Sequence, residues 1–125
     1  MTSAWFRAVD WSVVCAINQQ LCAAKHAQYG PTTDGHAATK TLWDKTHCEP
    51  LTLESLVELC RRSHQQAPFL NYNGNTFVAI ARQVISGLHV GASTAVLRSL
   101  AGHIIAGTAS PDEHQAFQKA VTKIS

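Results

Sequence analysis

The chain has 125 residues, a formal charge of +2, 46% apolar and 14% charged residues. That length suits one domain, residues 1–125, able to bury roughly two-thirds of the surface its unfolded form exposes. The charged fraction is well below the average of about 25%, so much of the surface is uncharged, small or apolar, a composition expected of a chain with a partner. The net charge is too small to announce a nucleic-acid binder, although seven histidines add positive charge below about pH 6.5.

Arg7 and Asp10 interrupt the apolar residues near the start, and no pattern of basic, apolar and small-residue cleavage regions follows, so export is not expected. The weakly polar stretch from Val84 to Ala109 carries His89, Arg98 and His103 and does not qualify as a bilayer span. Four cysteines without an export signal read as reduced thiols or metal ligands, and the setting expected is cytoplasmic.

The first element expected is a long amphipathic helix over Ser3 to Gln28, with Phe6, Val9, Val13, Ile17, Leu21 and Ala24 as its core stripe. At about 100° per residue, Trp11, Cys15, Cys22 and His26 form a second stripe, read as packing on another helix, with a partner or a bound ion as the alternatives. Pro31 to Pro50 is rich in Thr, Gly, His and Lys and reads as an irregular insert, with one or two helical turns over Ala37 to Trp43. Trp43 is expected to anchor it to the core.

Thr52 caps the next helix, which runs to about Gln66 with Leu53, Leu56, Val57, Cys60 and His64 on one face. Asn71, Tyr72, Asn73, Gly74 and Asn75 form a turn into a helix from Thr76 to about Leu88. Asn71, Tyr72, Asn73 and Asn75, with Arg82 two turns along, are candidate binders of a polar ligand or anion. The helix over about Ala92 to Ala106 has Val96, Leu97, Leu100 and Ile104 on one side. Gly91, Ala95, Ser99, Gly102 and Ala106 lie on the other, suited to close helix packing or a dimer seam. Ser110 as cap, Pro111 at the first position, and Asp112 and Glu113 in the first turn open the last helix, whose stripe is Phe117, Ala120, Val121 and Ile124. The fold expected is an all-α single-domain bundle of about five helices, with an irregular insert after the first.

Chemistry-bearing spacing is confined to two Cys-x-x-x-His pairs, Cys22 with His26 and Cys60 with His64. Each places a thiolate and an imidazole on one helical face, and four such ligands suit tetrahedral zinc if the two helix ends meet. His47 and Cys48 offer substitute ligands or an exposed thiol beside a base. Without zinc, no cofactor is expected. The reading is a non-catalytic helical interaction module, a regulator, inhibitor or accessory subunit acting through a protein partner or a homodimer. Trp11, Cys15, Gly91, Ala95, Gly102 and Ala106 are its candidate contacts. The alternatives are a zinc-stabilised Cys2His2 helical protein or an accessory nucleic-acid-binding subunit; no membrane association is expected.

Overall fold

The structure, a computed structural model, describes residues 4–47, 49 and 51–124, and of residues 4 and 5 the backbone alone. Its elements are α1 (Ala4–Arg7), α2 (Trp11–Ala24), α3 (Gly35–Thr46), α4 (Leu53–Gln66), α5 (Asn73–Gly87), α6 (Ser93–Ala106) and α7 (Pro111–Ile124). The fold is all-α, with six helices of 12 to 15 residues and one single turn in place of about five. Among the described residues there is no strand, only an isolated bridge between Pro31 and Phe69.

The long first helix is broken in two. Asp10 has extended backbone, and its carboxylate accepts from Val13 N at 3.1 Å and the Ser12 hydroxyl at 2.6 Å, so it caps α2 and separates it from α1. Ser3, the start expected for that helix, lies outside the described residues. The core face of α2 is Trp11, Val14, Asn18 and Cys22, with Val13, Ile17 and Leu21 only half-buried and Ala24 exposed. Phe6 and Val9 are buried as expected, and from Trp11 onward the stripe is displaced by about one position, because a buried asparagine stands in the middle of the true one.

The insert is also more regular than expected. Asp34 precedes a 12-residue helix, α3, although Thr and Lys are frequent in it. Contact with α4 holds it in place. A Cβ on Gly35 would stand 2.1 Å from the Gln66 carbonyl oxygen, so only glycine lets the two helix ends meet here. Thr39 Oγ1 then donates to Gln66 Oε1 at 2.9 Å. Trp43 is fully buried, edge-on to Phe6 at 5.6 Å, and its indole N–H donates to the Val9 carbonyl at 2.8 Å, which ties α3 to the α1–α2 junction.

α4, α5 and α6 pack on one another at the centre, with α7 against α4 and α6, and α2 and α3 on the other side. The cap at Thr52 is as expected: its hydroxyl accepts from Ser55 N at 3.0 Å. Ser110 and Glu113 form a reciprocal capping box at the start of α7. α5 begins at Asn73 rather than Thr76, because Tyr72 takes the left-handed conformation that turns the chain into it. Among the described residues no helix is long and apolar enough to cross a membrane.

Candidate partner-binding groove

Three helix ends converge beside the bundle. Leu53 opens α4 directly after its cap, Leu88 closes α5, and Val121 and Ile124 lie in the last turn of α7. After Leu88, His89 and Gly91 both have positive φ, 54° and 64°, so the link to α6 folds tightly and carries Val90 between them. These residues line a groove of about 370 Å³, with Thr52 and Glu54 at its margin. Leu53 and Val121 form its buried floor, and Leu88, Val90 and Ile124 are half-exposed walls. An aliphatic concavity of this size accepts an apolar side chain and gains roughly 25 cal/mol for each Å² it removes from water. The Glu54 carboxylate is exposed and joins no ion pair among the described residues.

The residues singled out as partner contacts do not make one surface. Trp11 is buried: its indole stacks on Phe69 at 5.7 Å with planes 6° apart, and the His36 ring meets its edge at 5.3 Å. It lines only the margin of an open depression shared with Asp10, Ser12, Cys15, His36, Lys40 and Asp44. His36 Nε2 accepts from the Trp11 indole at 3.4 Å and lies 3.9 Å from Cys15 Sγ. Burial pushes the Cys15 thiol up, against the opposing Tyr29 hydroxyl and Lys40 charge, so it lacks the lowered pKa of an activated nucleophile. Gly91, Ala95 and Ala106 are exposed, whereas Gly102 is buried beneath Arg82.

The asparagines read as ligand binders are largely engaged within the fold. Asn71 donates its amide to the Gln28 carbonyl at 2.9 Å, and Asn73 brackets Phe69, accepting from its N–H and donating to its carbonyl, both at 2.8 Å. Tyr72 supplies the left-handed turn, and its carbonyl accepts from the Thr76 hydroxyl. Asn75 is exposed on α5 and does not cap it. Arg82 sits against α6, not with these amides.

The four residues expected to share zinc are not brought together. Helix α2 ends at Ala24, so His26, exposed with φ 54°, has left the helical face of Cys22. Cys22 is buried and its thiol points to Asn18 Oδ1 at 3.6 Å. Cys60 is fully buried and its thiol is pushed up by burial. His64 Nδ1 donates to the Ile105 carbonyl at 2.8 Å. Among the described residues no three His, Cys, Asp or Glu side chains gather as zinc requires. Cys48 lies outside the described residues, and the neighbouring His47 hydrogen-bonds the Trp43 carbonyl through Nδ1 at 3.0 Å.

The groove was legible only in pieces: Leu53, Leu88, Val121 and Ile124 each mark an apolar helix face, but Val90 sits in a link with no periodicity. Comparison with family models, curated proteins and solved structures finds no match for this chain.

Proposed function

We propose that this protein is a non-catalytic helical interaction module, acting as a regulator, inhibitor or accessory subunit by seating a segment of a protein partner in the groove between α4, α5 and α7. The observation that carries this reading is an aliphatic concavity left half-open where three helix ends meet, with the exposed Glu54 carboxylate, which joins no ion pair among the described residues, on its margin. That pairing sets the chemistry of the occupant: a peptide segment with an aliphatic anchor and a lysine or arginine beside it. The anchor supplies affinity through burial, and the charge sets orientation and encounter rate.

Selection from a random peptide library tests this. The expected binders share an aliphatic residue flanked by a basic one, lose binding in Val90→Asp, and weaken by a factor of about three to ten in Glu54→Gln, as for a rim charge. Lys119→Gln, on the outer face of α7, leaves them unaffected. An absence of binders, or binders indifferent to Val90→Asp in a variant that unfolds at the wild-type temperature, overturns the proposal.

A further inference from the structure

Trp11 and Cys15 are one turn apart on α2 and share a face. On α3, Gly35 meets the Gln66 carbonyl of α4, and that close approach fixes where the next residue, His36, reaches α2. The His36 ring stands edge-on to Trp11 at 5.3 Å and to Phe69 at 6.0 Å, a fixed aromatic seat. Its Nε2 lies 3.9 Å from Cys15 Sγ, and the Tyr29 hydroxyl hydrogen-bonds the same sulfur. Cys15 and His36 are half-buried and open onto the depression they share with Asp10, Ser12, Lys40 and Asp44, which gives an entry path from solvent.

The indole nitrogen of Trp11 only donates, and it donates to His36 Nε2 at 3.4 Å. Nε2 is therefore the lone-pair nitrogen and the ring proton sits on Nδ1, the tautomer in which Nε2 can serve as a ligand beside Cys15. At the bond lengths of a d10 ion, about 2.3 Å to sulfur and about 2.0 Å to nitrogen, the two ligands stand about 3.5 Å apart at a tetrahedral angle and about 4.3 Å apart in line. The 3.9 Å between Sγ and Nε2 falls between these limits, so an ion fits without either helix moving. Zinc is not the ion: no third His, Cys, Asp or Glu completes its set among the described residues. Two ligands suffice for a soft monovalent d10 ion, which prefers thiolate. Charge points the same way. One thiolate and one monovalent ion cancel, whereas a divalent ion leaves a net positive charge in a half-buried, aromatic-walled place where the Lys40 charge is already felt.

We propose that Cys15 and His36 bind one Cu(I) ion, with Sγ and Nε2 as its ligands and the Tyr29 hydroxyl supporting the sulfur from the outer shell. Burial holds the proton on the Cys15 thiol, so binding exchanges that proton, released to solvent, for the metal, and no electron is transferred. The Trp11 N–H gives up its long hydrogen bond to Nε2 and turns to the depression whose margin it lines. The site lies on α2 and α3, across the bundle from the groove, and does not depend on it.

The test is anaerobic titration of the full chain with Cu(I) against the chelator bicinchoninate, with Ag(I) as a redox-inert probe for nuclear magnetic resonance. One ion per chain is expected to withstand the chelator, and calorimetry in two buffers is expected to show one proton released per ion. Silver nuclei have spin one-half, so the nitrogen-15 signal of His36 Nε2 should split while the signals of His64 do not. Cys15→Ser abolishes the tight ion, His36→Gln weakens it on the order of a hundredfold, and Tyr29→Phe, which keeps both ligands, weakens it about tenfold. Cys48→Ala leaves it unchanged. Binding at wild-type strength in His36→Gln would assign the ion to a lone thiol, and loss in Cys48→Ala would move it to another cysteine. An unsplit His36 signal in the folded wild-type chain would remove the nitrogen ligand without recourse to any variant. Each of these overturns the proposal, as does complete surrender of the ion to the chelator.

Discussion

Helix α5 carries two polar clusters that differ in what the fold leaves over. At its start, Asn71 donates to the Gln28 carbonyl and Asn73 exchanges hydrogen bonds with the Phe69 backbone, while Asn18 of α2 donates to the Asn71 carbonyl at 2.8 Å and Thr76 Oγ1 at 3.0 Å. Amides bring donors and acceptors in equal measure, so such a network closes on itself. Two turns on, Arg82 and Arg98 also find acceptors, but a carbonyl offsets only part of a unit charge. In the sequence Arg82 reads together with the asparagines as one ligand candidate. Residual charge, and not polarity, separates them.

The sharpest way to break this comparison is at Asn18, a buried side chain that joins α2 to the start of α5. Asn18→Ala removes both donated bonds, strands the Asn71 carbonyl and the Cys22 thiol, and opens a cavity. The expected loss is about 3 kcal/mol in urea-induced unfolding, typical of a broken buried network. A loss below about 1 kcal/mol would mean that water replaces the amide and the cluster is open after all.

Asn73→Ala should follow, costing about 1–2 kcal/mol, since it frees one N–H and one carbonyl of Phe69 at a part-buried turn. Urea-induced unfolding reads it, and a loss below about 0.5 kcal/mol would mean that solvent replaces the bracket at this turn.

Legibility in the sequence followed the same division between local and non-local causes. The caps at Thr52 and Ser110 were readable because the residue that caps and the amide it caps lie three positions apart. The break at Asp10 carried the same local signal, obscured by apolar residues on both sides that continue the helical period. The core face of α2 was hidden because Asn18 interrupts its hydrophobic stripe, and its partners lie more than fifty residues away. α3 owes its place to Gly35 meeting the end of α4, which no composition reveals. The arginine pair had a sequence trace, the absence of carboxylates from 59 to 111, but its members are read as partners only once α5 and α6 are laid side by side.

The smallest effect expected belongs to a charged cluster that the fold does neutralise. The His103 ring, and then the Ser110 amide, hold the Glu113 carboxyl below the usual carboxylate range at the start of α7. A carboxyl lowered in the folded state adds stability that is present above its unfolded value, near 4.5, and is lost as pH falls through the folded value. Glu113→Gln should therefore be slightly less stable than wild type at pH 6 to 7, with the gap closing as pH drops below about 4.5 and shrinking in high salt. Urea titrations at a series of pH values read this directly. A gap that stays constant down to about pH 2 would assign the contribution of Glu113 to its hydrogen bond with the Ser110 amide and not to its charge.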